Sequence, residues 1–243
     1  MAAEVLRILQ AKLQFSPERK SILITSSAPA EGKTTIASNL AIVTAQAGAA
    51  TVLLSGDLRS PELPKVFGVS REVGITEVLS GKLPLEREIR RWTDAAHGTS
   101  GTGSSLTKPS LGNLHILSTG RLPDNPTKLI ASKEMETLLN EVKARFDVVL
   151  LDAPPLLPFV DSMLFARYVD GIVLVYEVGR IPRAALLRAK AQLEQVSGKL
   201  LGVVLNNTRH WTYLRFHDYS SYYRYYRKRD GDRKPEAQGA AKG

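Results

Sequence analysis

The sequence predicts a doubly wound α/β fold, in which a mostly parallel sheet carries helices on both faces. Six short runs rich in β-branched residues and leucine recur along the 243-residue chain. These runs are residues 21–27, 51–55, 114–118, 148–153, 172–177 and 200–207. Because they are almost continuously apolar, we expect each strand to be buried on both faces, as in a parallel sheet. Helical patterns separate the strands, so strand and helix alternate throughout.

Three helical patterns stand out between these strands. The first, residues 33–48, follows the first strand directly. The second, residues 127–146, has one apolar stripe at the helical period of about 3.6 residues and can cover a face of the sheet. The stripe consists of Leu129, Ile130, Met135, Leu138, Leu139, Val142 and Phe146. The third is expected to begin at Pro182, because proline is tolerated in a first turn, and to end near Gly198.

Composition places the chain among ordinary soluble globular proteins, with 43% hydrophobic and 23% charged residues. No apolar run approaches the roughly 18 residues of a membrane span, and the first residues lack a secretion signal, so we expect a cytoplasmic protein. The chain has no cysteine and four histidines that form no close pair. This composition argues against a disulfide framework and against a metal site built from thiolates or imidazoles.

The C-terminal part differs from the rest in charge and pattern. The formal net charge is +9, and the stretch 209–229 holds six basic residues and one acidic residue. We therefore predict a folded domain over residues 1–208 and a basic, tyrosine-rich tail over residues 209–243. The Gly-, Ser- and Thr-rich segment 95–112 is expected to be a flexible surface loop of the domain. The polar end of the tail is expected to be disordered.

A phosphate-binding loop is predicted between the first strand and the first helix. The loop has the pattern Ser27-x4-Gly32-Lys33-Thr34, one residue away from the usual G-x4-G-K-[ST] motif. Successive main-chain N–H groups and the positive end of the helix favour an anion, and the lysine adds a mobile positive charge. The predicted nucleotide-binding residues are Pro29, Ala30, Glu31, Gly32, Lys33, Thr34 and Thr35.

Carboxylates follow two later strands. Asp57 comes after "LLSG" and Asp152 ends "VVLLD". The carboxyl ends of parallel strands form the edge of an α/β sheet where ligands bind, so both side chains are expected beside the phosphate loop. Either one alone could instead cap its strand. Asp152 has the Walker B position and, with the hydroxyl of Thr34, is a predicted Mg²⁺ ligand.

Taken together, these segments resemble the bacterial tyrosine kinases of capsule and exopolysaccharide synthesis, which have a deviant P-loop ATPase fold. The similarity spans roughly residues 4–226 and includes "PAEGKTT", "GDLRSP", "STGRLPDNPTKLIAS" and "VVLLDAPP" in the family's order. Relatives that position division sites or partition plasmids carry a signature lysine five residues before the loop lysine. Ala28 occupies that place here, which favours the kinase branch.

The resemblance implies roles for several residues, with ATP and Mg²⁺ as cofactors. Lys33, Asp57, Asp152 and Arg59 would be catalytic. Asp57 and Asp152 would organise the Mg²⁺ together with Thr34, and Asn206 would read the adenine. Asn206 could equally be a turn residue that closes its strand. Arg59 would contact phosphate or an incoming tail, or would form a structural ion pair.

The chain departs from the family at Ser55. The family motif Asp-x-Asp-x-Arg reads Ser55-Gly56-Asp57-Leu58-Arg59 here, so the acid that would assist deprotonation of the tyrosine is missing. Loss of a general base typically slows a reaction by ~10²- to 10⁴-fold. Phosphoryl transfer relies mainly on positioning and charge, so we expect a slowed kinase. The alternative is a pseudokinase that binds ATP and acts as a scaffold of the polysaccharide export machinery.

A second departure concerns assembly. The family's oligomerisation pattern Glu-x-x-Arg-x-x-Arg appears as Glu4-x-x-Arg7-x-x-Gln10. Residues three apart share a helix face, so a polar ridge remains but one intersubunit ion pair is lost. The ring-like homo-oligomer, an octamer in the family, is expected to be weakened. Alternatively, the segment is an ordinary amphipathic first helix.

Six of the eight tyrosines lie in the predicted tail and are the candidate autophosphorylation sites. They are Tyr213, Tyr219, Tyr222, Tyr223, Tyr225 and Tyr226. Aromatic and arginine side chains can also stack on single-stranded nucleic acid or lie at an anionic membrane. Neither alternative explains the phosphate loop, so no nucleic-acid partner is expected.

The resemblance also implies a partner and a location. The family acts on polysaccharide polymerisation or export, with phosphorylation of the tail in trans. Its activator is a membrane chain-length-determinant (Wzz-like) protein. The kinase would therefore lie at the inner face of the plasma membrane, held there by this partner or by a fused upstream segment.

Overall fold

The computed structural model describes residues 2–92, 111–196 and 199–207. It contains seven strands: β1 Ser21–Ser26, β2 Thr51–Ser55, β3 Arg90–Arg91, β4 Leu114–Leu117, β5 Val148–Asp152, β6 Gly171–Glu177 and β7 Leu200–Asn206. They form one sheet in the order β3-β4-β2-β5-β1-β6-β7. All neighbouring strands are parallel except the two-residue β3, which pairs with β4 in the antiparallel sense. The predicted, mostly parallel sheet is confirmed.

Nine helices accompany these strands within the described ranges: α1 Ala2–Leu13, α2 Lys33–Gln46, α3 Leu63–Phe67, α4 Ile75–Leu79, α5 Leu85–Glu88, α6 Pro126–Ile130, α7 Lys133–Arg145, α8 Asp161–Phe165 and α9 Arg183–Gln195. The predicted helices after the first strand and after Pro182 correspond to α2 and α9. The described part of the chain has no helix with the length and apolar character needed to cross a membrane.

The helix predicted over 127–146 is two helices, so that prediction is wrong in its continuity. The side chain of Asn125 accepts a hydrogen bond from the N–H of Lys128 and caps α6. The hydroxyl of Ser132 accepts one from the N–H of Met135 and caps α7. A serine that satisfies an otherwise unpaired N–H favours a new helix start at that point. The apolar stripe survives the break because Ile130 and Met135 enter the same core.

Helices cover both faces of the sheet, and each face has its own hydrophobic core. Successive residues of a strand point to opposite faces. Ile22 therefore packs in one core with Leu40 of α2, and Leu23 packs in the other with Leu138 of α7 and Leu193 of α9. The doubly wound architecture predicted from the apolar strands is confirmed.

This topology brings three strand ends together. In the sheet, β5 lies between β2 and β1, and Asp152 pairs in register with Ser55 on one side and Ile24 on the other. The loops that follow β1, β2 and β5 therefore leave the sheet at one edge, where ligands of open α/β sheets bind.

The chain divides into two units, Met1–Asn206 and Asn207–Gly243. The predicted tail 209–243 and all of the predicted loop 95–112 except residues 111 and 112 lie outside the described residues.

Candidate active site

The loop between β1 and α2 adopts a conformation that requires glycine at its end. Gly32 has φ +90°, in the left-handed region, and Ala30 has φ +61°. A β-carbon on Gly32 would lie 2.2 Å from Nδ2 of Asn206. Lys33 and Thr34 then form the first turn of α2, where unpaired N–H groups and the helix dipole favour an anion.

Glu31 and Asn206 tie this loop to the ends of β6 and β7. Glu31 is fully buried. Its carboxylate accepts hydrogen bonds from the N–H of Ala28 at 2.7 Å and of Glu177 at 3.1 Å. Asn206 Nδ2 donates to the carbonyl of Glu31 at 3.0 Å. The carboxylate of Glu31 thus holds the main chain of the loop, and adenine recognition by Asn206 stays a prediction.

Lys33 lies between the two predicted carboxylates. Its Nζ is 3.0 Å from Oδ2 of Asp57 and 3.8 Å from Oδ1 of Asp152. The hydroxyl of Thr34 donates to Oδ2 of Asp152 at 2.8 Å. All four side chains are buried. Residues up to 119 positions apart in the sequence therefore form one cluster, which we call the lysine–carboxylate cluster.

Burial and charge pairing act in opposite directions on the pKa values of this cluster. Burial raises the pKa of Asp152 to about 6, although Lys33 and the hydroxyl of Thr34 act in the opposite direction. Burial also opposes the charge of Lys33, but Asp152 and Asp57 outweigh it and hold the pKa of the ammonium above its ordinary value. Lys33 is therefore charged at neutral pH and available as a phosphate ligand.

The cluster offers suitable oxygen ligands for Mg²⁺. Oδ1 of Asp152 is buried and, within the described residues, accepts no hydrogen bond. The described ranges contain no group of three His, Asp or Glu side chains that could enclose a metal by themselves. Mg²⁺ typically takes one or two carboxylates and completes its shell with phosphate oxygens and waters. Asp57, Asp152 and Thr34 fit a metal of this kind, shared with a nucleotide.

The loop after β2 is held tightly against β5. The N–H of Gly56 donates to the carbonyl of Asp152 at 2.8 Å, and a β-carbon on Gly56 would lie 2.8 Å from a methyl group of Leu151. The Oδ1 atom of Asp57 accepts from the N–H of Ser60 at 2.9 Å and of Arg59 at 3.3 Å. The backbone that carries Asp57 therefore also orients its carboxylate.

Arg59 contacts a carboxylate that sequence reasoning did not single out. Its Nε lies 2.7 Å from Oδ2 of Asp161, at the start of α8. Thr127 on α6 hydrogen-bonds to both of these side chains. Of the two alternatives predicted for Arg59, the structure contains the structural ion pair. A contact of Arg59 with phosphate or with an incoming tail stays a prediction. The sequence feature that could have identified Asp161 is a single acidic residue in the mostly apolar stretch "LLPFVDSMLFA".

Ser55, where the family carries an acid, is fully buried at the end of β2. Its hydroxyl oxygen accepts a hydrogen bond from the hydroxyl of Thr119 at 2.6 Å. A neutral hydroxyl pair therefore bridges the ends of β2 and β4, beside the lysine–carboxylate cluster.

The predicted assembly residues lie elsewhere, on α1. Arg7 forms an exposed ion pair with Glu4 at 3.2 Å, and Gln10 is half-buried. The six predicted acceptor tyrosines of the tail lie outside the described residues.

The fold and this cluster together define a P-loop NTPase. The chain matches the ParA family model, described as "NUBPL iron-transfer P-loop NTPase", over residues 18–233. Because the chain belongs to a P-loop NTPase family, it is a nucleotide-binding protein. The chain itself contains no cysteine, the residue whose thiolate holds iron–sulfur clusters.

Comparison with individual proteins identifies the group of P-loop NTPases to which the chain is similar. The chain is 33% identical to "Tyrosine-protein kinase YwqD" of Bacillus subtilis, over 84% of this chain and 80% of that protein. The kinase domain of the Escherichia coli tyrosine kinase ETK superposes with a TM-score of 0.74 at 29% identity, covering 84% of this chain and 75% of that one. The chimerical protein CapA2B2 gives a TM-score of 0.72 at 29% identity, covering 83% of each chain. This chain therefore belongs to the bacterial tyrosine-protein kinase family, and the resemblance predicted from its motifs is confirmed.

Proposed function

We propose that the chain is an ATP- and Mg²⁺-dependent protein-tyrosine kinase that phosphorylates the tyrosine cluster of another copy. The observation that carries this proposal is the lysine–carboxylate cluster at the start of α2. A phosphate loop, a charged lysine and two metal-binding carboxylates are the groups that phosphoryl transfer from a nucleotide requires.

Different residues of the loop and of the cluster would bind the phosphates, the metal and the base of the nucleotide. The N–H groups of the loop and of the first turn of α2 bind phosphate oxygens, and Lys33 turns from the carboxylates to the terminal phosphates. Asp57, Asp152 and Thr34 would hold Mg²⁺, which when bound would neutralise charge on the phosphates. Asn206, whose amide contacts the loop at Glu31 and Gly32, would select the base.

In the transfer step the bond between the terminal phosphorus and ADP breaks, and a bond to the tyrosine oxygen forms. The phenol proton passes to water, because Ser55 provides no carboxylate to receive it. Such a step depends mainly on alignment and charge stabilisation, which the remaining residues supply. The enzyme is therefore active but slower than a kinase that has an acid at position 55. The names of its relatives favour an active kinase over a pseudokinase.

Phosphorylation would change the net charge of the tail. Each phosphotyrosine adds about −1.5 to −2, so six would reverse the sign of the basic stretch 209–229. We propose that the unmodified tail binds an acidic surface of the neighbouring subunit in a ring, and that accumulated phosphate releases it. Similarity to the chimerical protein CapA2B2, whose name joins two components, supports a partner for the kinase. We propose that this partner is a membrane-bound chain-length-determinant activator. Through it the kinase would act at the inner membrane face on polysaccharide polymerisation or export.

Incubation with labelled ATP and Mg²⁺, followed by phosphotyrosine detection, tests the activity. The parent chain should label itself, and the Lys33→Met variant should not. A rate that rises with the square of protein concentration supports transfer between copies. Replacement of all six tail tyrosines by phenylalanine should abolish both labelling and ATP-driven disassembly in size-exclusion chromatography. A parent chain that binds no ATP in calorimetry would refute the proposal.

A further inference from the structure

We infer that Arg59, Asp161 and Thr127 form a positioning unit that holds the carboxylate of Asp57 in place for magnesium. The inference rests on the proposed function, since it presupposes that Asp57 helps to bind Mg²⁺. The three residues come from the loop after β2, from α8 and from α6, and none of them needs to touch the nucleotide for this role.

The unit is a closed set of hydrogen bonds. Arg59 donates from Nε to Oδ2 of Asp161 at 2.7 Å and from Nη2 to Oδ1 at 3.0 Å. The same Nη2 donates to the hydroxyl of Thr127 at 3.0 Å, and this hydroxyl donates to Oδ1 of Asp161 at 3.0 Å. Two parallel bonds between a guanidinium and a carboxylate fix the relative orientation of both groups, and a single ammonium could not do so.

Burial makes the pairing obligatory. The side chain of Asp161 is 0% exposed and that of Arg59 is 31% exposed. A buried carboxylate without a cation is strongly unfavourable, so Asp161 holds the guanidinium in this position. The guanidinium carbon also lies 4.5 Å from the centre of the Phe159 ring, which supports it from one face.

The connection to Asp57 runs through the main chain of Arg59. Its side chain is anchored on Asp161, while its N–H, together with that of Ser60, points at Oδ1 of Asp57. The other carboxylate oxygen of Asp57 contacts Lys33. If the anchor is lost, the loop that carries both N–H donors can move, and the orientation of Asp57 is no longer fixed.

The decisive variant is Thr127→Val, which removes one hydroxyl and keeps both charges and nearly the same shape. The quantity to measure is the ratio of the ATP dissociation constants without and with Mg²⁺, obtained by calorimetry. We expect this ratio to fall by about tenfold, the lower end of the effect seen when residues that orient metal ligands are replaced. ATP affinity without Mg²⁺ should be unchanged, because Thr127 does not orient the phosphate loop.

A matched control separates this effect from loss of a threonine hydroxyl in general. Thr137 is exposed on α7, and its hydroxyl donates to the carbonyl of Lys133 within the same helix. Thr137→Val should leave the ratio at the parent value. Asp161→Asn and Arg59→Lys extend the series, with the unfolding temperature recorded for each variant. If Asp161→Asn does not fold, Thr127→Val decides.

The outcomes are distinguishable. A Thr127→Val variant with a lower unfolding temperature but the parent ratio would show that the unit is merely structural and would overturn the inference alone. A parent chain that binds ATP equally with and without Mg²⁺ would overturn both the inference and the proposed use of Mg²⁺. A selective loss of the magnesium effect in Thr127→Val and Arg59→Lys supports the inference.

Discussion

Asn206 stands against Gly32, with its amide nitrogen only 2.2 Å from the position that a β-carbon on Gly32 would occupy. The last residue of β7 thus closes over the phosphate loop from the side and hydrogen-bonds to Glu31 within it. Asn206, which is predicted to recognise the base, is in direct contact with the loop that is predicted to bind phosphates. A substitution in the loop should therefore also displace Asn206.

Gly32→Ala should weaken both nucleotide binding and stability. A non-glycine residue at this φ costs on the order of 1–3 kcal/mol, and its β-carbon would also displace Asn206. Calorimetry should show ATP affinity reduced by about tenfold or more. Gly48→Ala is the matched control, because Gly48 has φ +98° with nothing described within 4 Å of its β-carbon position. It should lose stability but keep ATP affinity. Equal affinity losses in the two variants would contradict this explanation.

The buried carboxylate of Asp152 should make stability depend on pH. Its pKa of about 6 in the folded protein lies above the ordinary 3.8, so the folded chain holds a proton that the unfolded chain releases. The free energy of unfolding should therefore decrease as pH rises from about 3 to about 7, through the folded pKa, by about 3 kcal/mol in total for this group. Asp152→Asn should remove that decrease. Urea unfolding of both proteins across this range, without nucleotide, tests the prediction. Parallel stability profiles would disprove it.

Ser55→Asp should accelerate tyrosine phosphorylation. The new carboxylate would stand at the end of β2, where Thr119 can donate a hydrogen bond to it, as it does to the serine. A restored general base contributes about 10²-fold or more to the rate. Ser55→Asn has the same shape without the charge and should give no acceleration. The initial rate of phosphotyrosine formation at saturating ATP is the measurement. A folded Ser55→Asp variant no faster than the parent would mean that the acid is not the limiting element.

Gln10→Arg should strengthen self-association. Arg7 is already paired with Glu4 on the exposed side of α1, and position 10 lies one turn further along. A second arginine there adds a charge that can meet an acid of a neighbouring subunit. Sedimentation velocity should show larger species at a given concentration. Ala11→Arg adds the same charge at another exposed position of α1 and should not. Identical behaviour of the two variants would point to a nonspecific effect of charge.

Local patterns were sufficient to predict the six parallel strands and the lysine–carboxylate cluster, but not the two-residue strand β3. The strands were visible because each is buried on both faces and therefore continuously apolar. Lys33, Asp57 and Asp152 could be placed together because parallel strands end at one edge of a sheet, whatever the distance along the chain.

Other features depend on tertiary contacts that leave little trace in the sequence. Asp161 and Arg59 are 102 residues apart and meet only once α8 has packed beside the loop after β2. The break between α6 and α7 was hidden by an apolar stripe that continues across it, although Ser132 is a common helix cap. The sequence did not reveal that the Glu31 carboxylate accepts hydrogen bonds from the N–H groups of Ala28 and Glu177, and nucleotide binding by the main chain of Glu31 stays a prediction.

The pairing of Lys33 with two buried carboxylates has a consequence for ligand entry. In the resting protein the ammonium is the counter-ion of Asp57 and Asp152. When polyphosphate draws that ammonium away, two negative side chains lose their neutralising partner at the moment when more negative charge arrives. A divalent cation resolves both problems together, so nucleotide and metal are expected to enter this enzyme as a cooperative pair, each poorly retained without the other.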